Sequence, residues 1–358
     1  MAEKKKVIHV IPTLGFGGAE RLVLDLLKKI DREKYDLRMV AMVRGGGMEP
    51  VYRETGVPLE IFYKKGILGL KVFFKLIKYF RSEKPDIVHT HLFGADVWAG
   101  LAARFAKVPH IAKTEHNLNL AEGGFKKWVK KNTAFLFDKM VAISPAVVEY
   151  MIEAEKMPKE KIKIIYNGID VSRFSKKEAN NYSETPQLIN VSRLEKQKGH
   201  KNLIMALEKI KNIDWQMNFV GDGSLRTELE NQVRDAGLSE RVKFLGNRED
   251  VPELLQKSDI FIFTPLWEGL GLAALEAGAV GLPIIATNVD GIKNIFDDNE
   301  TAQLVEPNKP DALASAIGWA IEHQDKALYM GKLAQKMAQE KFSIERMAEE
   351  YEHLYESL

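Results

Sequence analysis

The sequence predicts an α/β protein made of two Rossmann-like domains, and three observations carry that reading. At 358 residues the chain is long for a single hydrophobic core. Short β-branched, apolar runs alternate with helical patterns along nearly its whole length, the pattern of βα units around a parallel sheet. A polar stretch without hydrophobic periodicity, SKKEANNYSETPQ, then divides this alternation in two.

The first set of strands is expected at VIHVIP (7–12), DLRMVAMV (36–43), LEIFY (59–63), DIVHTH (86–91), HIAKTEH (110–116), DKMVAIS (138–144) and KIKIIYN (161–167). These give a domain over residues 1–170, and the polar stretch that follows is read as a linker. QLINVSRL, WQMNFVGDG, RVKFLGN, DIFIFTP, PIIATN and AQLVEP form a second set, which gives a domain over 171–341. The periodic, charged segments from Asp311 to Leu358 read as helices. Two such domains in succession would face a central cleft at the carboxyl ends of their strands, where open α/β sheets bind ligands.

Composition narrows the class. With no cysteine there is no disulfide framework, thiol nucleophile or Cys-rich metal site. No run approaches the ~18 apolar residues of a membrane span, and MAEKKKVIHVIPTLG reads as a first strand, not a signal peptide. A cytoplasmic protein is expected, with no nucleic-acid partner. The net charge of +2 hides an asymmetry of +10 over residues 1–170 and −8 over 171–358, so the basic half is where an acidic or membrane partner would sit.

The most informative stretch is TPLWEGLGLAALEAGAVGLPIIAT, which reads as strand, glycine loop, helix, turn and strand. Gly269 and Gly271 let the backbone approach a ligand. The N–H groups from Gly269 and Leu270 to Leu272, with the positive end of the helix dipole, suit a phosphate. Glu268 stands at the mouth and Glu276 further in. A carboxylate in the apolar run LAALEAGA needs partners, and sugar or ribose hydroxyls would serve.

Arg193 ends a strand in Asn190-Val191-Ser192-Arg193-Leu194, and Lys198 lies just before the next helix, so both can meet a diphosphate in the cleft. One such charge pair at ~4 Å is worth roughly 4 kcal/mol at an effective dielectric of about 20, before desolvation. No Asp-x-Asp pair occurs, which argues for metal-free chemistry. Gly15-Phe16-Gly17-Gly18-Ala19-Glu20 is a weak dinucleotide fingerprint whose third glycine is replaced by Glu20. Glu20 and Arg21 read equally well as ordinary helix-start residues. His116 ends a strand and faces the cleft. His89 and His91 lack Cys partners and an evident third ligand, which argues against zinc and leaves them shaping the acceptor side.

These motifs, taken together and in order, resemble the retaining GT-B glycosyltransferases of the Glu, seven residues, Glu type: glycosyltransferase family 4 and glycosyl transferases group 1. The resemblance spans nearly the whole chain. It implies a hexosyltransferase-type enzyme that moves a sugar from a UDP-, GDP- or other nucleoside-diphosphate sugar to a saccharide or lipid-linked acceptor, in cell-surface polysaccharide or glycolipid synthesis, without cofactor or metal. It implies that Arg193 and Lys198 hold the departing phosphate, Glu268 and His116 the sugar, and Glu276 the ribose. Gly17 and Gly18 would reach the donor from the acceptor side. Gly221 and Asp222 would turn beside the nucleotide, and Asn247 would lie where backbone groups cradle the base. The last helix, about 342–358, would cross back to the first domain. A non-hydrolysing sugar-nucleotide epimerase and a non-catalytic nucleotide-sugar binding protein are the alternatives.

Two further stretches are basic and amphipathic. Lys71, Lys75 and Lys78 share one face of a helix whose apolar residues, Val72 to Phe80, cover an arc of roughly 220°, far wider than a core-facing helix needs. Phe125-Lys126-Lys127-Trp128-Val129-Lys130-Lys131 repeats the theme. Packing against neighbouring helices and peripheral docking on the anionic inner face of a membrane both account for them.

Overall fold

The computed structural model describes residues 4–63, 70–118, 123–174 and 182–358. It divides into two compact units, Met1–Gly168 with Ile344–Leu358, and Ile169–Ser343. Most of the expected linker, residues 175–181, lies outside the described residues.

The first unit is built on a seven-stranded parallel sheet. In chain order its strands are β1 (Lys5–Thr13), β2 (Tyr35–Arg44), β3 (Leu59–Ile61), β4 (Ile87–His91), β5 (His110–Glu115), β6 (Lys139–Ala142) and β7 (Ile162–Ile164). They lie in the order β3-β2-β1-β4-β5-β6-β7, so the winding direction reverses between β1 and β4. Every residue of β4 is buried, as in a parallel strand covered on both faces. The helix Gly18–Lys29 turns Ala19, Leu22, Val23, Leu26 and Leu27 inward, the i, i+3, i+4, i+7, i+8 stripe of a surface helix.

The last helix, Ile344–Glu356, belongs to this unit although it is last in sequence. Ile344, Met347, Ala348, Tyr351, Leu354 and Tyr355 join the same core cluster as Leu22, Leu26 and Met39. Its backbone is also held: the Lys5 ammonium donates to the Tyr355 carbonyl at 2.8 Å and the Tyr35 hydroxyl to that of Glu352 at 3.2 Å. These contacts leave Tyr351 and Tyr355 entirely buried.

The second unit carries β8 (Gln187–Val191), β9 (Gln216–Val220), β10 (Val242–Gly246), β11 (Ile260–Phe263), β12 (Ile284–Thr287) and β13 (Gln303–Val305). All are parallel, in the order β10-β9-β8-β11-β12-β13, with the reversal between β8 and β11. β11 and β12 are fully buried. In an open parallel sheet ligands bind outside the carboxyl ends of the strands at such a reversal. The residues that leave β8 and β11 are Ser192 onward and Thr264 onward, the two stretches that hold Arg193, Lys198 and Glu268.

The amphipathic helix Leu70–Glu83 buries only Val72, Leu76, Ile77 and Phe80. Phe74 and Leu70 remain largely exposed, and Phe73 packs edge-on against Phe74, Trp98 and the exposed Phe105. The wide arc is therefore covered in part. The second basic stretch departs from expectation at Lys130. It is not on the solvent face of its helix, Gly124–Thr133, but buried, 2.5 Å from Glu155 and 3.3 Å from Glu115. An ammonium can be buried when carboxylates replace its water, so Lys130 is a core residue and not a membrane-facing one.

Candidate active site

In the second unit two loops are fastened together at the β8/β11 reversal. Leu266 N–H donates to the Gln197 carbonyl at 2.7 Å, the Gln197 amide to the Trp267 carbonyl at 2.9 Å, and the Thr264 hydroxyl to the Lys198 carbonyl at 3.1 Å. Gly199 makes this approach feasible. Its φ is +65°, and a Cβ there would stand 2.1 Å from the Thr264 carbonyl oxygen.

The fastening brings Lys198 and Glu268 into an ion pair, their side chains only 13% and 11% exposed. The second Glu268 oxygen accepts from Gly269 N–H at 3.2 Å, and the ammonium lies 5.0 Å from the centroid of the Phe263 ring. A charge pair so shielded is stronger than a surface pair, and each partner becomes costly to strand. Arg193 differs from Lys198: it lies on the same loop but is exposed. The structure thus joins one of the two expected cations to Glu268 and leaves the other facing solvent.

The helix Leu272–Val280 starts at Gly271, with Glu276 half-buried in its second turn. Two expectations about its start need correction. Leu272 N–H already donates to the Leu270 carbonyl at 2.9 Å and Ala274 N–H to that of Gly271, so fewer donors point outward than a bare helix end would offer. A Cβ on Gly271 would lie 2.4 Å from Ile292 Cδ1 and 3.3 Å from Phe263, so this glycine serves close packing, not close approach of a ligand.

Gly221, at φ +126°, seats its turn against the Ser192 carbonyl, where a Cβ would stand at 2.1 Å. Asp222 accepts from Gly223 N–H at 2.8 Å and from Arg226 at 3.0 Å, which holds its carboxyl below the ordinary value. Asn247 is exposed beyond β10. His200 was not a sequence candidate: its Nε2 lies 2.9 Å from the Ser192 hydroxyl and 3.2 Å from Asn190 Oδ1, and burial lowers its pKa to about 4.

In the first unit Gly17 and Gly18 are exposed at the start of the first helix, and the Glu20 carboxylate folds back over Gly17. Burial raises the pKa of Glu20. His116 directly follows β5 and is only 6% exposed. Burial lowers its pKa to about 4, although the neighbouring Glu115 pulls the other way. Its Nε2 lies 3.1 Å from His91 Nδ1, while its Nδ1 has no hydrogen-bond partner among the described residues.

His89 and His91 do not shape an exposed surface. They are completely buried, and a third imidazole, His9, lies beside them because β1 and β4 align His9 with His89. Ring nitrogens of the three fall within 4.8 Å of one another, so the missing third ligand exists. Both nitrogens of each ring are nevertheless engaged: His9 with His91 and Tyr355, His91 with His9 and His116, His89 with Tyr355 and Thr114. A cation would have to displace those bonds. Burial lowers all three pKa values, that of His9 to about 3.

Beside His116 runs a buried charge network that sequence reading missed. Asp96 meets Lys113 at 3.2 Å, and Lys113 and Lys130 meet Glu115 at 3.4 and 3.3 Å. Burial raises Glu155 to about 7, with Glu115 adding to the rise. Burial also pushes Glu115 up, but the two ammoniums outweigh it and hold its carboxyl low.

The comparisons follow the same division. The family described as Glycosyltransferase Family 4 matches residues 16–173, and that described as Glycosyl transferases group 1 matches residues 171–337. Two parallel Rossmann-like units with these matches define a transferase of the GT-B fold. The chain belongs to the GT-B glycosyltransferases. It is 29% identical over 385 positions to an Escherichia coli UDP-Gal:alpha-D-GlcNAc-diphosphoundecaprenol alpha-1,3-galactosyltransferase, covering 98% of this chain and 97% of that one. It is 26% identical over 377 positions to the Staphylococcus aureus capsular polysaccharide biosynthesis glycosyltransferase CapM, covering 99% and 97%. Among solved structures, Anabaena HepE in complex with UDP and glucose superposes with a TM-score of 0.89 at 24% identity, over 99% of this chain and all of that one.

Proposed function

We propose that this glycosyltransferase takes a sugar from a nucleoside diphosphate, most simply UDP, and passes it with retained anomeric configuration to a hydroxyl of a lipid-linked saccharide, without a metal. The observation that carries the proposal is the shielded Lys198–Glu268 pair at the β8/β11 reversal, with Arg193 on the same loop and the helix start at Leu272 beside it. Support for the donor comes from the E. coli relative named for UDP-Gal and from Anabaena HepE bound to UDP-glucose. The lipid-linked acceptor follows the name of the E. coli relative.

In this reading the bond from the anomeric carbon to the phosphate oxygen breaks as the acceptor oxygen bonds the same face. The acceptor proton passes to the departing phosphate. Lys198, shielded and already held in place, stabilises the charge that grows on that phosphate without reorganisation, and Arg193 adds a second cation from the solvent side of the same loop. Glu268, oriented by Lys198 and Gly269 N–H, accepts from sugar hydroxyls, and Glu276 from the ribose. By the family resemblance His116 is read as a sugar contact as well. The epimerase and binding-protein alternatives have no observation in their favour.

The test is a screen of nucleotide sugars for nucleotide release with and without a polyprenyl-diphosphate saccharide, in excess EDTA and with magnesium, followed by NMR of the product's anomeric proton. Acceptor-dependent release, unchanged by EDTA, with a retained anomer is expected. An inverted product, or turnover that only a divalent ion restores, overturns the corresponding part.

A further inference from the structure

The buried imidazoles of the first unit form one unbranched chain of hydrogen bonds that ends at His116. It begins at Tyr351 on the last helix, whose hydroxyl lies 3.1 Å from the Thr114 hydroxyl. Thr114 lies 2.8 Å from His89 Nε2, and His89 Nδ1 lies 2.7 Å from the Tyr355 hydroxyl. Tyr355 reaches His9 Nε2 at 3.3 Å, His9 Nδ1 reaches His91 Nε2 at 3.1 Å, and His91 Nδ1 reaches His116 Nε2 at 3.1 Å. Only His116 Nδ1 is left over, buried and without a partner among the described residues.

Proton counting fixes the direction of the chain. Each hydroxyl carries one proton, and each neutral imidazole carries one on nitrogen. Burial keeps all four rings neutral near pH 7. If every group donated toward Tyr351, the Tyr351 proton would be stranded in the core, because Thr114 is its only partner among the described residues. His116 Nδ1 would be a second unmet group. If every group donates away from Tyr351, all six links are made and the single proton left over sits on His116 Nδ1, just past the carboxyl end of β5. Each direction leaves one donor over: the first leaves it at Tyr351, in the core of the unit, whereas the second sets it on His116 Nδ1 at the end of β5, where a bound ligand can accept it, so the second direction prevails. It places the proton of all four imidazoles on Nδ1.

We propose that this relay, anchored at Tyr351 and Thr114, fixes His116 as its Nδ1–H tautomer, so that His116 acts as a hydrogen-bond donor toward an acceptor oxygen of the bound sugar. The ligand half of the statement rests on the reading of His116 as a sugar contact; the tautomer half does not. His9, His89, His91, Thr114, Tyr351 and Tyr355 are then positioning residues. They connect the last helix to His116 through groups that exchange no net charge with solvent.

The experiment is two-bond 1H–15N correlation on the full chain labelled at histidine, at neutral pH and without ligand, with His116 assigned from its disappearance in His116→Gln. The wild type should show His116, His91, His9 and His89 protonated at Nδ1. His9→Gln breaks the relay with an amide that can either donate to or accept from His91 Nε2. His116 should then move toward the Nε2–H form favoured by a free imidazole, while His89, still held by Thr114 and Tyr355, stays as it was. A wild-type His116 protonated at Nε2 overturns the relay, whether or not the variant folds. So does a folded His9→Gln protein with an unchanged His116 pattern.

The ligand half is read separately from kcat/KM. An asparagine amide can stand where Nδ1–H stands, so His116→Asn should exceed His116→Ala by about fivefold, the equivalent of one hydrogen bond. Equal, wild-type turnover in both variants would remove the sugar contact and leave the tautomer result in place.

Discussion

Acidification should destabilise the first unit through its buried imidazoles. Each is free to protonate in the unfolded chain near pH 6.5 but is held neutral in the fold, His9 down to about pH 3 and His116 to about pH 4. The unfolded state therefore binds more protons, so stability falls as pH drops below 6.5 and stops falling near each folded value. Moving from pH 7 to about pH 5 costs about 2 kcal/mol for each ring locked neutral. His9 and His116 thus account for roughly 4 kcal/mol between them, and His89 and His91 act in the same direction. Glu155 opposes them: its carboxyl titrates near 7 in the fold, so it gains stability as pH falls and offsets about one imidazole. A net loss of several kcal/mol is a large share of the roughly 5–15 kcal/mol typical of a domain. Urea titrations at the two pH values, read by pulsed hydrogen exchange at peptides covering β1 and β4, measure it. His9→Gln should be less stable at neutral pH but should shed about 2 kcal/mol of the pH dependence. An equal pH dependence in both proteins, or none in the wild type, would refute the assignment of neutral buried rings.

Arg193→Ala and Lys198→Ala should each lower turnover on the order of 10²-fold, as for loss of a preorganised charge at a leaving group, and near-wild-type steady-state rates in both would remove the phosphate role. Lys198→Ala also strands the Glu268 carboxylate, so its melting temperature should fall while that of the exposed Arg193→Ala should not. Glu276→Ala should weaken binding of free UDP in calorimetry, whereas Glu268→Ala should mainly weaken use of the sugar; equal losses of UDP affinity would contradict that division. Changing Lys71, Lys75, Lys126, Lys127 and Lys131 to Gln should reduce flotation with anionic vesicles, each lysine being worth about 1 kcal/mol at the surface, and wild-type binding indifferent to lipid charge would end the membrane proposal. Lys130→Gln should instead destabilise the fold by about 3–5 kcal/mol, because it strands buried Glu155 and takes from Glu115 one of the ammoniums that hold it.

The sequence by itself determined the class of fold and most of the candidate residues of the second unit. Buried parallel strands and the helices between them are written in local periodicity. The loop at 193–199 and the segment 264–276 carry their chemistry within a few residues of a strand end. Those signals are short-range, so they survive reading along the chain. What only the tertiary structure decided depends on pairing across the chain. Sequence cannot say that Lys198 would be taken up by Glu268 while Arg193 stayed in solvent, since that follows from how two loops fasten around Gly199. Nor can it say that Gly271 yields its space to Ile292. In the first unit His89 and His91 were visible as alternating residues of one strand. Their third imidazole came from the in-register neighbour β1, and their hydroxyl partners from a helix some 260 residues further on. Lys130 looked like one lysine of an exposed basic run until Glu115 and Glu155 closed around it. Burial of a polar group is decided by its partners, and in a parallel sheet those partners are strands and helices remote in sequence.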